Sequence, residues 1–184
     1  MRATLSMTLA GFAAMALVTV ALADTRNKER RFSSAREGVT VDSPPGWSLS
    51  LHTGYANLLC TLVHPSGSRI SLAVDRTTAK DSAALAAESR PGLVAQGLTI
   101  DRVSQGPRNG TQVDARATRR GQTVRQLYLV RDLDGARGSR QAIVLTLTAP
   151  SDQFSTASGS FDWVTAHLTL ETPTRPEETP DGGR

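Results

Sequence analysis

The chain has 184 residues, 39% of them hydrophobic and 4% aromatic, and a net charge of +4 carried on the basic side almost wholly by arginine. That length holds one domain with appendages, and the low aromatic content means a core built of Leu, Val, Ile and Ala. A charge this mild, spread over a whole domain, lacks the dense basic stripe and stacking aromatics of a nucleic-acid binder.

The first segment reads as an export leader. Arg2 and the amino terminus form a charged front, Leu9 to Leu22 is uncharged and mostly apolar, and Ala21-Leu22-Ala23 fits the small-x-small cleavage pattern. Residues 1–23 are therefore expected to be removed, leaving Asp24 first and placing the protein outside the cytoplasm, periplasmic or extracellular. The competing reading is an uncleaved anchor. Ala3 to Ala23 is just long enough to span a bilayer, and Arg26, Lys28, Arg30 and Arg31 follow it as cytoplasmic flanks would. The Ala, Thr, Ser and Gly content makes the run weakly hydrophobic and favours cleavage; membrane contact is expected only if the segment is retained. Cys60 is the single cysteine, so the exported domain has no internal disulfide and stands on packing alone.

Residues 24–37 are polar and read as a flexible lead-in. One domain is expected over 38–170. Its strands are read at Gly38–Asp42, Trp47–His52, Asn57–His64 and Arg69–Arg76, then Leu98–Gln105, Gln112–Arg119, Thr123–Arg131 and Gln141–Ala149. Pro65-Ser66-Gly67, Asn109-Gly110, Arg120-Gly121 and Asp134-Gly135 supply turns in which a glycine takes positive φ. Short connectors imply antiparallel neighbours. Between the fourth and fifth strands, Asp81 caps a helix running toward Gln96, with Gly97 as its stop and Pro91 predicting a kink or two short helices. After Pro150-Ser151, Phe154, Ala157, Phe161, Val164 and Leu168 recur at helical spacing and form one face. Residues 171–184, rich in Pro, Glu and Thr, cannot offset their ordering entropy and read as a disordered tail.

"QAIVLTLTA" and "NLLCTLV" are apolar on both sides of their alternation, so their sheet needs cover on both faces. The expected class is α+β, an α/β/α sandwich with a central, mostly antiparallel sheet and helices on both faces.

The order of elements resembles the PsbP-like superfamily, which includes DcrB-type envelope proteins and a Ran-binding factor. The resemblance rests on Val41-Asp42-Ser43-Pro44-Pro45-Gly46-Trp47, on Tyr128, on Thr148-Ala149-Pro150-Ser151, and on Phe154 with Phe161. It spans about 38–170. It implies a sandwich that binds other proteins and lacks an active site. The chain departs from lipid-anchored members in having no cysteine after its apolar leader.

Candidate chemistries are sparse. Cys60 and His64 stand four apart on a strand, about 13 Å, too far for a nucleophile and its base; within an apolar run the thiol is a small hydrophobe. His52, His64 and His167 lack a second donor at ligand spacing, so no metal is expected. Asp132-Leu133-Asp134-Gly135 is a fragment of a calcium loop without its other ligands. Asn109-Gly110-Thr111 matches a glycosylation acceptor and also a turn. Neither a nucleophile elbow nor a phosphate-cradling loop occurs, and no cofactor is implied. Trp47, after Pro44-Pro45-Gly46, is expected to seal a corner of the core. The strongest surface feature is the crowd of Arg116, Arg119, Arg120 and Arg125 around the hairpin at Gly121. It is either a patch for an acidic protein or anionic envelope component, or a charged guard on a sheet edge. The expected function is exported, non-enzymatic binding of a protein or envelope component. The alternatives are a small-ligand carrier, using a cleft between the sheet and the C-terminal helix, and a hydrolase without a recognised motif.

Overall fold

Strand β9, Arg140–Pro150, carries Ile143, Leu145, Leu147 and Ala149 on one side and Ala142 and Val144 on the other, all buried. A strand apolar on both sides belongs inside a sheet covered on both faces, and that is where the computed structural model places it. The structure describes residues 30–51, 57–117, 121–133 and 140–174. Seven strands form the main sheet in the order β3-β4-β5-β9-β8-β7-β6. They are β3 (Ser48–Leu51), β4 (Leu58–Val63), β5 (Arg69–Thr77), β6 (Leu98–Gln105), β7 (Thr111–Ala117), β8 (Gln122–Asp132) and β9. Every pairing in it is antiparallel.

Two cores lie on its two sides. On the first face, helix α2 (Phe154–His167) buries Ala157, Phe161 and Val164, which with Leu168 meet Leu127, Leu145 and Leu147. Phe154 is partly buried at the rim, so the face read from sequence spacing is the one that packs. A second sheet, β1-β2-β10, joins this layer through Val39 and Val41; it comprises Arg31–Ser34, Val39–Asp42 and Thr169–Leu170. On the second face, helix α1 (Ser82–Ala95) buries Leu85, Ala86 and Leu93 against Val113, Ala115, Val124 and Val144. The α+β sandwich with helices on both faces is thus present.

The small sheet changes the boundaries. Arg31–Ser34, inside the expected flexible lead-in, pair with β2. Glu171 and Thr174, inside the expected tail, donate backbone hydrogen bonds to Gly38 and Ala35. Polar alternation hid β1 because its side chains bury little, and the sheet it joins is completed through β2 by β10, from the distant end of the chain. Arg131 fastens this closure. Its guanidinium donates to the carbonyls of Glu37 and Glu171 at 2.6 Å each and to Gln141 Oε1 at 2.7 Å. Residues 1–29 and 175–184 lie outside the described residues, as does Asp134-Gly135.

Asp81 caps α1 as expected, accepting from the Ala84 amide at 2.8 Å, and Gly97 follows the helix with φ of +81°. Pro91 does not divide it. Pro91 lacks the N–H that would donate to the Ala87 carbonyl, but both residues are on the exposed side, where that carbonyl is open to solvent, and α1 continues as one helix. The Asn109-Gly110 turn departs from expectation. Arg108 and Asn109 hold positive φ, both +57°, while Gly110 is extended. Gly110 is needed for space instead: a Cβ there would lie 2.6 Å from Leu129 Cδ2 and 2.8 Å from the Tyr128 carbonyl.

This strained turn has a structural use. Arg108 reaches the end of α2, donating to Thr165 O at 3.1 Å and also to Leu168 O, so a cation meets carbonyls left unpaired at a helix C-terminus. Arg108→Ala should lower unfolding stability by about 1–2 kcal/mol, and unchanged urea unfolding would remove that role. Gly159, exposed in α2 with nothing within 4 Å of a built Cβ, gives the opposite expectation: Gly159→Ala should raise stability by about 1 kcal/mol.

Candidate binding surface

The two helices do not sit back to back. Helix α1 lies against β6, β7 and β8, while α2 lies against β9 and β2. Each face of the main sheet therefore ends in a stretch whose outward residues are polar. On the first face, beyond α2, these are Gln112, Asp114 and Arg116 of β7, alternating with buried Val113, Ala115 and Ala117, together with Thr123 and Arg125 of β8. On the second face, beyond α1, a polar row runs across paired positions Ser50, Thr61, Ser71, Thr146 and Gln126, with Ser50 exposed, Ser71 and Thr146 half-buried, and Thr61 and Gln126 buried. It is tied by Thr61–Ser71 and Gln126–Thr146 hydrogen bonds of 3.1 Å each.

The arginine cluster expected at the Gly121 hairpin borders the first of these stretches. Arg116 and Arg125 lie on it. Arg119 and Arg120 lie outside the described residues. Arg116 meets Asp101 with contacts of 2.6–3.0 Å, which raises its affinity for its proton. Arg125 is held by Asp114 at 2.8 Å, approaches Asp162 at 4.0 Å, and places its guanidinium 5.3 Å from the Phe154 ring centre. These two arginines are thus locally balanced by three carboxylates and fixed in orientation. Sequence spacing brought the arginines together but gave no sign of the aspartates, which come from β6, β7 and α2.

Trp47 sits where the corner reading put it. Pro44 to Trp47 is a turn closed by Trp47 N to Pro44 O at 3.1 Å, with Gly46 at φ of +83°, the conformation that requires glycine after proline. The indole is buried and donates to Ser160 Oγ of α2 at 3.1 Å. His64 tilts against it with ring centres 5.3 Å apart.

The structure brings together one Ser–His contact that the sequence reading missed. Ser66 Oγ lies 2.9 Å from His64 Nδ1, which also accepts the Ser66 amide at 3.2 Å. Both bonds close the same tight hairpin, and among the described residues no carboxylate is hydrogen-bonded to His64, so the contact restrains a turn. Cys60 faces the first core, and His64 follows β4 at the start of the turn that Ser66 closes. Burial pushes the Cys60 thiol up to about 12, the reverse of an activated nucleophile. Burial likewise pushes the Tyr128 phenol up to about 12, opposed by a hydrogen bond with Ser89; Tyr128 donates to Gln126 Oε1. At the end of α2, His167 stacks on Trp163 at 3.9 Å. Among the described residues no three His, Cys, Asp or Glu side chains converge, and no helix is long and apolar enough to cross a membrane.

The layers, strand order and covered faces define a PsbP-like α/β/α sandwich. Solved structures agree. LpqN of Mycobacterium tuberculosis, described as involved in cell envelope biogenesis, is 17% identical, with 72% of this chain and 82% of LpqN covered and a TM-score of 0.54. Cyanobacterial PsbP (CyanoP) of Synechocystis sp. PCC 6803 is 12% identical, with 77% and 91% covered and the same TM-score of 0.54. No family model matches the chain, and no curated protein matches it. The likeness is one of fold.

Cys60 and Tyr128 both keep their protons to higher pH in the folded chain than in the unfolded one, where 9.0 and 10.0 apply. Their contribution to stability is complete below those values and is lost as pH rises toward about 12. Unfolding midpoints should therefore fall between about pH 9 and about 12. Cys60→Ala should flatten the early part of the fall; an unchanged profile in that variant would contradict the burial of the thiol.

Proposed function

We propose that the chain is an exported, non-enzymatic domain that binds a protein or a component of the cell envelope. The observation that carries this reading is a filled interior. Between the sheet and α2, Phe161, Val164, Leu168, Leu127, Leu145 and Leu147 are all buried and in mutual contact, and this packing opposes a ligand cleft at that place. Recognition then falls to the surface, where the polar stretch of β7 and β8 presents rigidly paired side chains on strands. The envelope setting draws support from LpqN, which shares the fold, and from the leader-like residues 1–23. The expected contact region is the Gly121 hairpin with Arg116, Arg119, Arg120 and Arg125. Because carboxylates balance Arg116 and Arg125, the net positive charge of that region rests on Arg119 and Arg120, and the balanced pair supplies shape and direction. An acidic protein or anionic envelope polymer suits such a surface.

Two measurements test this. N-terminal sequencing of the protein recovered from its host should begin at Asp24; a retained Met1 would overturn the cleaved leader. Capture of envelope components by the protein should weaken with added salt and fall at least about tenfold in the Arg119→Glu/Arg120→Glu variant, as expected when attraction becomes repulsion. Capture that withstands both changes would remove the hairpin from the binding surface.

A further inference from the structure

The segment 169–174, which leaves the end of α2, has no core of its own. Leu168 before it is buried, but within it Thr169, Glu171, Thr172 and Thr174 are exposed, and Leu170 and Pro173 are half-buried. Backbone hydrogen bonds hold it. Thr169 and Leu170 pair with Thr40 and Val39, the Glu171 amide donates to the Gly38 carbonyl at 2.9 Å, and the Thr174 amide donates to the Ala35 carbonyl at 3.0 Å. Exposed backbone bonds with little apolar burial mark the parts of a fold that open first.

The turn that receives this segment is as thin. Ala35 and Arg36 are exposed and Glu37 is half-buried. The two pieces share acceptors. The Ala35 carbonyl takes the Gly38 amide at 3.1 Å as well as that of Thr174, and the Gly38 carbonyl takes Arg131 Nη2 at 3.2 Å as well as the Glu171 amide. Gly38 is buried between them, and a Cβ there would overlap the Glu171 carbonyl oxygen and lie 2.9 Å from Arg131 Nη2. Arg131 joins both pieces to the main sheet, because one guanidinium reaches Glu37 in the turn, Glu171 in the segment and the buried Gln141 of β9. Its planar fork fixes these acceptors relative to one another. Burial weakens its hold on its proton, and the charge of Glu37 opposes that. Among the described residues none of the groups that accept from it is a carboxylate, so its charge is satisfied only while the carbonyls of both pieces stay in place. Losing one side leaves a half-buried cation short of acceptors, which costs more than the bond itself. We propose that Arg131 is a latch that makes the turn 35–38 and the C-terminal segment 169–174 a single unit, opening and closing together while the main sheet stays intact. Release of either end of the domain then loosens the other.

Native-state hydrogen exchange of the full chain reads this coupling. The amides of Gly38, Glu171 and Thr174 should share one opening constant. In Arg131→Lys, which keeps the charge and loses the fork, all three should exchange at least about tenfold faster, as expected when a charged hydrogen bond is lost. The amides of Leu145 and Leu147 in β9 should not change, which shows that the sheet is intact. Thr174→Pro removes one donor at an exposed position, and the Gly38 and Glu171 amides should then exchange about fivefold faster. Three different opening constants in the native chain would overturn the proposal, as would an Arg131→Lys protein in which only one piece is loosened. A Gly38 amide unmoved by Thr174→Pro would overturn it too, and that variant decides alone if Arg131→Lys disturbs β9.

Discussion

The fold depends on the need of β8 and β9 to be dry on both sides. These central strands pair along eleven positions, from Gln122 with Pro150 to Asp132 with Arg140. Leu127, Leu145 and Leu147 face one way, and Tyr128, Ala142 and Val144 the other. Burial of apolar surface is the dominant favourable term in folding, and one layer of helices could serve only one of these sides. Two layers follow, and with them the position of every other element.

Because both layers must reach the same central strands from opposite faces, each leaves the far strands to something else. On the first face the remainder is shared with the small sheet, which brings Val39 and Val41 into the core and ties the two ends of the domain together. Where neither helix nor small sheet lies, the outward residues are hydroxyls, amides and ion pairs. The polar stretches are thus consequences of the offset between α1 and α2. Arg116, Asp101, Arg125 and Asp114 are geometrically fixed there because the strands beneath them are rigid.

Much of this was legible in the sequence where a signal is local. The Asp81 cap, the Gly97 stop, the spacing of Ala157, Phe161 and Val164, and the turn at Pro45-Gly46 each involve residues a few positions apart, and each was read correctly. Two local signals misled, since Pro91 leaves α1 whole and Gly110 is extended; the other misreadings involve residues far apart. Strand β1 looked like a polar lead-in because its partner β2 is itself completed by β10, some 130 residues on in the register with Thr169 and Leu170. Arg108 carried no local signal because its acceptors, at the end of α2, are 57 to 60 positions away. The arginines at the hairpin were visible as a cluster, but the aspartates that balance them were not, since Asp101 and Asp162 come from β6 and α2, elsewhere in the chain, and Asp114 meets Arg125 only through the pairing of β7 with β8.

By itself the sequence determined the seven strands of the main sheet and both helices, though not β1 or β10, that a sheet apolar on both sides lies at the centre, and that a single cysteine in an apolar run has no reactive setting. These follow from periodicity, turn chemistry and side-chain polarity, which act over a few residues. The tertiary structure alone decided strand order, the offset of the helices, and hence which polar residues share a surface. Those depend on contacts between residues distant in the chain, and no local pattern encodes which distant partner a strand will meet.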